Sequence, residues 1–361
     1  MAKVLVLYDS WITSDAKEMW RTALTEALGD GFMGHQICFA DNIQGSFNWS
    51  TEVVDGVKEA HGDPDYIIDQ ISVAEVVLTG YAPFTRKMME AAPKLKIIGV
   101  SRGGPVNVDH RAATDHGIII LKAVGRNAVS VADQTMGLIL SESRNIARQN
   151  LDLKTGRYFE ELEAGGRQKY MDSFRWVELE GKTLGLIGYG QVGSRVAKRA
   201  LAFDMRVMVY DPYVEEARLS KDRCVKAELD ALLKESDFVS IHTMLTPETE
   251  HMIDERALIL MKPTAMLVNT ARGGIIDEAA LYQALKERRI HSAALDVFEE
   301  DPVKKSNPLL GLDNVTATPH SAGRSPEVEV RGYRQVAQQA AVYLKGLGVD
   351  PMYVSNRDVM R

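Results

Sequence analysis

The sequence predicts an α/β protein made of two doubly wound parallel-sheet domains. Three observations carry that expectation. Its 361 residues exceed one typical core and suit two, since domains commonly run ~100 to 200 residues. Short β-rich runs alternate with helical patterns along most of the chain, the signature of a parallel sheet covered by helices. Near the middle, an apolar run ends in closely spaced glycines that open directly into a helical pattern.

In the first domain the expected strands are Val4 to Tyr8, Gln36 to Phe39, Glu75 to Leu78, Lys96 to Val100 and Ile118 to Leu121. Helical stretches such as Lys17 to Leu28 and Arg86 to Ala92 fall between them. From Asn127 to about Gln149 the apolar spacing predicts one long helix leading into the second domain. Leu151 to Leu179 is polar, carries Gly156, Gly165 and Gly166 and shows no clear period, so a loop or arm is expected there. A regular block follows. Its strands are Thr183 to Ile187, Arg206 to Tyr210, Phe238 to His242, Ala265 to Asn269, Ser292 to Leu295 and Val315 to Ala317. Helical crossovers, Lys226 to Glu235 among them, separate these six. The last helical pattern, Glu327 to Leu344, is long enough to pack back on the N-terminal domain.

Composition narrows the function classes. A formal charge of -7 and the lack of any Lys/Arg block argue against a nucleic-acid surface. No apolar run approaches the ~18 residues of a membrane span, and the stretch after Met1 is too short for a signal sequence, so a cytoplasmic protein is expected. Cys38 and Cys224 lie far apart and outside any Cys-x-x-Cys pattern, which predicts neither a disulfide framework nor a metal site.

The strongest chemical signal is Gly188-Tyr189-Gly190-Gln191-Val192-Gly193, placed between a strand and a helix. Gly188 suits a tight turn, Gly190 lets backbone approach a pyrophosphate, and Gly193 allows close helix packing. Asp211 ends the next strand, near the place of the acid that holds the adenosine ribose hydroxyls. No Lys or Arg follows in Pro212, Tyr213, Val214 or Glu215, so a 2'-phosphate would meet an uncompensated carboxylate. NAD is therefore expected over NADP. Three further segments each follow a predicted strand: Asn269 to Gly274, Ala294 to Pro302, and Thr318 to Gly323. Strand carboxyl ends line the ligand crevice in such sheets, which can bring Arg272, Asp296, Asp301 and His320 to one pocket.

From about Val100 to Gly323 the chain resembles the D-isomer-specific 2-hydroxyacid dehydrogenase family, which includes phosphoglycerate and glycerate dehydrogenases. Leu245-Thr246-Pro247-Glu248-Thr249, and Met261-Lys262-Pro263 leading into Leu267 to Gly274, are especially close. The resemblance implies that Arg272 clamps the substrate carboxylate, His320 is the acid/base and Asp296 meets the nicotinamide carboxamide. It adds Thr246, Thr270, Ala271 and Gly323 to the cofactor contacts, with Arg272 and His320 also expected to touch the cofactor. The chemistry agrees. Taking a proton from a C2 alcohol needs a base, and histidine's pKa lies nearest working pH. A guanidinium can bind the carboxylate in bidentate fashion. Three departures stand out: the histidine's partner is Asp301 where the family usually has Glu, Met244 replaces a frequent proline, and the Leu151 to Leu179 arm is longer than usual.

In the first domain, Ser101-Arg102-Gly103-Gly104 matches the family loop whose backbone amides meet the substrate carboxylate. Arg102 faces either the ligand or a neighbouring carboxylate, and Tyr81 is either a cleft residue or a packing aromatic. The full expectation is a flavodoxin-like substrate domain, residues 1–124 plus 324–361, and a Rossmann NAD-binding domain, residues 125–323. A homodimer acting on a small 2-hydroxy or 2-oxo acid is expected, with no nucleic-acid, membrane or metal partner. An NAD-sensing, corepressor-like protein on the same fold is the alternative, and a methyltransferase is a weaker rival that leaves Arg272 and His320 unexplained.

Overall fold

A computed structural model describes residues 2–49 and 52–360. The chain divides into two compact units, Met1–Arg126 with Ser325–Arg361, and Asn127–Arg324. In the first unit β1 (Lys3–Tyr8), α1 (Ala16–Leu28) and β2 (Gln36–Asp41) are followed by a small hairpin, β3 (Phe47–Asn48) with β4 (His61–Gly62). After it come α2 (Pro64–Ile71), β5 (Val76–Thr79), α3 (Arg86–Glu90), β6 (Ile97–Val100), α4 (His110–Asp115) and β7 (Ile119–Lys122). Its main sheet is wholly parallel in the order β2-β1-β5-β6-β7, the flavodoxin-like arrangement.

Both faces of that sheet are covered, which is why its strands read as unbroken apolar runs. Val4, Val6, Val76 and Leu78 pack on one side with Trp20 and Leu24 of α1, while Leu5, Leu7 and Val77 pack on the other with Ile67, Ile71 and Met88. Asp63 starts α2 by accepting from the Tyr66 amide at 2.9 Å, with Pro64 in the first turn where no amide is needed.

The second unit opens with α5 (Ala128–Arg144), α6 (Ile146–Thr155) and α7 (Arg157–Asp172). Strand and helix then alternate through β8 (Thr183–Ile187), α8 (Gly193–Ala202), β9 (Arg206–Tyr210), α9 (Glu216–Lys221), β10 (Val225–Lys226) and α10 (Leu229–Glu235). The rest is β11 (Phe238–Ile241), α11 (Glu255–Leu260), β12 (Met266–Asn269), α12 (Glu278–Lys286), β13 (Ser292–Leu295) and β14 (Val315–Ala317). These strands form one parallel sheet in the order β10-β9-β8-β11-β12-β13-β14, the doubly wound arrangement whose crevice lies at the ends of β8 and β11. Leu184, Leu186, Val207 and Val209 face Met136, Ile139, Val196 and Ala200, whereas Ile187, Val239, Ile241 and Leu267 face Leu232, Leu258 and Leu281. The last helix, α13 (Pro326–Leu344), returns to the first unit, where Tyr333 stacks on Trp20 with ring centroids 4.4 Å apart. Such a stack adds ~0.5 to 1.5 kcal/mol to the apolar burial itself.

The structure corrects three expectations. The long helix stops at Asn145, whose left-handed backbone (φ 56°) ends α5 and starts α6. Leu151 to Leu179 is largely helical, not a loop. Left-handed Gly156 (φ 89°) separates α6 from α7, and Gly166 (φ 80°) breaks α7. Its period was hidden because Leu151, Leu153 and Phe159 are exposed and no single stripe faces a core. Finally, the sheet has a seventh strand at its edge, β10, where the sequence pattern predicts that a helix begins at Lys226; two residues are too few to show alternation.

Candidate functional site

At the end of β8 the chain turns at Gly188 with φ 99°, a conformation that favours glycine. A side chain there would also lie 2.8 Å from the carbonyl group of His242. Gly193, the first residue of α8, is equally confined, since a Cβ would stand 2.2 Å from the Gly188 carbonyl oxygen. Gly190 differs: a Cβ would meet nothing within 4 Å. Two glycines therefore serve close packing, and the third leaves open space before a helix N-terminus. That is the cradle a pyrophosphate needs. Gln191 is exposed and its side-chain oxygen accepts from Arg195 at 2.8 Å, while Val192 is half-buried against the core.

Asp211 follows β9 and closes on the same turn, accepting from the Tyr189 amide at 2.7 Å and from the Tyr213 amide at 2.9 Å. The glycine turn and the carboxylate are thus one hydrogen-bonded unit, and the residues fit a dinucleotide. His242 packs behind Gly193, with Nε2 on the Ser240 hydroxyl at 2.9 Å, and burial pushes its pKa down to about 3. It stays neutral and acts as packing.

Beyond β12, Thr270 is buried with its hydroxyl 2.9 Å from that of Thr135, and the Ala271 amide donates to Asn269 Oδ1 at 3.0 Å. Arg272 is exposed; its Nη1 donates to the Ala271 carbonyl at 2.6 Å. Among the described residues the structure does not bond that guanidinium to His320 or Asp301. Gly273 holds the loop tight, since a Cβ would lie 1.9 Å from Phe298 backbone. The Thr246 amide donates to the Thr249 hydroxyl at 2.8 Å, which closes a turn beside exposed Met244.

The loops after β13 and β14 are joined by Asp296. Its carboxylate is 1% exposed and accepts from the Thr318 hydroxyl at 2.5 Å and from the Ser321 and Ala322 amides at 2.9 Å each. The His320 amide donates to the Asp296 carbonyl at 2.8 Å. This clasp holds His320 in a left-handed backbone, φ 51°, a conformation uncommon for a non-glycine residue. The side chain is thereby aimed at Asp301, and Nδ1 is hydrogen-bonded to Asp301 Oδ2. Both side chains remain reachable, at 44 and 43% exposed. Gly323 completes the loop, where a Cβ would come 2.8 Å from Asn127 Nδ2.

In the first unit Arg102 settles on the carboxylate alternative, ion-paired with Glu59, while its guanidinium lies 5.0 Å over the Tyr81 ring and 5.3 Å over Trp49. Gly103 and Gly104 are exposed. Asp9, at the end of β1, is buried; it accepts from Asn42 Nδ2 at 2.8 Å and the Gly80 amide at 3.2 Å, and desolvation raises its pKa to about 7. The sequence does not single out Asp9, Glu59, Trp11 or Trp49, and it gives Thr318 no role beyond its place in the segment. Only Asp9 had a usable signal, a carboxylate directly after a wholly apolar run. Among the described residues, no His, Cys, Asp and Glu group is placed to hold a metal ion.

Residues 136–322 match the D-isomer specific 2-hydroxyacid dehydrogenase NAD binding domain. The chain is 43% identical over 282 residues to a D-3-phosphoglycerate dehydrogenase of Methanocaldococcus jannaschii, covering 78% of this chain and 52% of that protein. It is 40% identical over 278 residues to a hydroxypyruvate reductase of Thermotoga maritima, covering 76% and 86%. The structure of a D-lactate dehydrogenase from Aquifex aeolicus, complexed with NAD and lactic acid, superimposes with a TM-score of 0.66 at 29% identity over 95% of this chain and 96% of that one. The chain spans about half the length of the phosphoglycerate dehydrogenases it matches, at 52 and 50%. With a glycine cradle, a clasped histidine and these likenesses in the same order along the sequence, the chain belongs to the D-isomer-specific 2-hydroxyacid dehydrogenase family.

Proposed function

We propose that this chain is an NAD-dependent dehydrogenase acting on C2 of a small D-2-hydroxy acid or the corresponding 2-oxo acid. The single observation that carries the reading is the His320–Asp301 hydrogen bond on a loop clasped by Asp296. With Nδ1 committed to the carboxylate, Nε2 is the atom left to give a proton to the C2 oxygen in reduction or take it in oxidation. Asp301 stabilises the imidazolium and fixes the ring. Arg272, exposed and on a tight loop, is the clamp for the acid's carboxylate. When bound, NAD(H) accepts or supplies the hydride. The second unit is assigned to hold it: Gly188, Gly190, Gln191, Val192 and Gly193 at the pyrophosphate, Asp211 at the ribose, and Thr246, Thr270, Ala271, Asp296 and Gly323 along the remaining length. Within the first unit, exposed Gly103 and Gly104, with Tyr81 and Arg102, are assigned to the substrate side.

The test is NADH oxidation by the purified chain across a panel of 2-oxo acids. Turnover with at least one acid, lost in His320→Ala, is the expected result; tight NADH binding without turnover would favour the NAD-sensing alternative instead. A cytoplasmic homodimer is part of the proposal. Free Cys38 and Cys224 suit a reducing compartment. The exposed Leu151, Leu153 and Phe159 of α6 and α7 suit a second copy, and sedimentation of the intact chain checks it. Among the described residues no helix is long and apolar enough to cross a membrane.

A further inference from the structure

The strand ends of the first unit carry an aromatic cluster whose charges are already cancelled. The order of its sheet reverses between β1 and β5, the point where open α/β sheets take their ligands. Trp11 follows β1 and Tyr81 follows β5, with ring centroids 5.2 Å apart; Trp49 meets Tyr81 at 5.5 Å. Arg102 lies over both Tyr81 and Trp49, yet its Nη2 is ion-paired with Glu59 and its Nη1 donates to the Glu59 carbonyl at 3.1 Å. A second guanidinium, Arg126, hydrogen-bonds Tyr81 and is paired with Glu329 at 2.8 Å. All four of these charged side chains are at most 27% exposed. Glu59 also lines a cavity of about 590 Å³, together with Asp55, Asp63, Asp65, Lys58 and Lys87.

A phosphoryl group brings nearly two negative charges and three acceptor oxygens, and it is held by guanidinium forks that are free to receive it. Neither fork beside Tyr81 is free. Pulling Arg102 onto a phosphate would strip Glu59 of its cation and leave a half-buried carboxylate beside a dianion. A neutral substituent meets no such penalty, and the rings offer it a flat apolar contact. We infer that the first unit selects a 2-oxo acid whose C3 substituent is uncharged and rejects phosphorylated acids, with Glu59 as the residue that enforces the rejection. This deepens the dehydrogenase reading and rests on it.

The test compares kcat/KM of the full chain, with NADH, for hydroxypyruvate, phenylpyruvate and 3-phosphohydroxypyruvate. The better uncharged acid should exceed the phosphorylated one by ~10²-fold or more. Glu59→Gln should raise the ratio of phosphorylated to uncharged activity by ~10-fold, because Arg102 is released while the neighbouring charge is removed. A preference of the unmutated chain for the phosphorylated acid overturns the inference, as does a folded, NADH-binding Glu59→Gln whose ratio has not moved. A second measurement needs no variant: 3-phosphoglycerate at millimolar concentration should not compete with the accepted acid, and strong competition overturns the inference. If NADH binds but none of the acids is reduced, the dehydrogenase reading falls first and this inference falls with it; reduction that favours the phosphorylated acid removes only this inference.

Discussion

Asp296→Asn is the perturbation through which the clasp on His320 is best tested. The carboxylate is buried and its two oxygens take three donors, the Thr318 hydroxyl and the Ser321 and Ala322 amides. An amide keeps one accepting oxygen. If its nitrogen takes the place of Oδ2, the Ala322 N–H faces a donor; if it takes the place of Oδ1, the Thr318 hydroxyl can turn to accept but the Ser321 N–H is orphaned. Either way one buried backbone donor loses its partner, at ~1 to 3 kcal/mol, and the surviving bonds lose the help of the charge. His320 meanwhile sits at φ 51°, a conformation that costs ~1 kcal/mol or more to hold. A loss of about 2 kcal/mol at the loop corresponds to ~30-fold in rate. We expect Asp296→Asn to lower kcat by that order in steady-state reduction assays, with a smaller change in the KM for NADH. Thr318→Val, which removes one donor and orphans none, should cost only ~1 kcal/mol, about 5-fold. A variant with intact kcat and a sharply raised KM for NADH would refute the clasp and make Asp296 a cofactor contact alone.

Further outcomes follow from the geometry. Gly190→Ala should leave urea stability within ~0.5 kcal/mol of the parent, because its Cβ meets nothing within 4 Å, yet weaken NADH binding measured by fluorescence titration. Gly193→Ala, 2.2 Å from the Gly188 carbonyl, should destabilise the second unit by ~1 to 3 kcal/mol. His320→Ala should lower kcat ~10² to 10⁴-fold in both directions, and Asp301→Asn should impair reduction more than oxidation, since reduction needs the protonated ring; equal loss in both would count against that role. Asp211→Ala should relax the preference for NADH over NADPH, read as the ratio of their kcat/KM values. The pH dependence concerns Asp9, whose carboxyl burial pushes up to about 7. Between about pH 4 and 7 the folded chain holds a proton that the unfolded chain has released, so stability falls as pH rises through that window and is level above it. Asp9→Asn adds a constant cost but removes that slope, so the gap between variant and parent in urea midpoints should shift in the variant's favour from pH 5 to pH 8.

Much of the site was legible because its parts are local. Gly188, Gly190 and Gly193 fall within six consecutive residues of one turn, and the role expected of them follows from the strand before and the helix after. Arg272, Asp296 and His320 each follow a strand of one sheet, so parallel pairing through β12, β13 and β14 carries their loops to the same edge. Burial on both faces made β12 and β13 largely apolar runs that reading by composition finds easily. The helices α6 and α7 were not legible for the opposite reason: they bury little, so no stripe marks them, and left-handed glycines look like loop signals.

The sequence by itself therefore located most strands of the two main sheets and their succession along the chain, and pointed to the residue types that a dinucleotide and a proton transfer would need, because those depend on short periods and neighbouring residues. Only the tertiary structure decided which charges meet. That Arg102 is spoken for by Glu59, 43 positions away, and that Asp296 spends its carboxylate on the loop of His320, depend on contacts between distant segments. Electrostatic pairing over a few ångströms has no period along the chain, so nothing short of the folded arrangement could assign those partners.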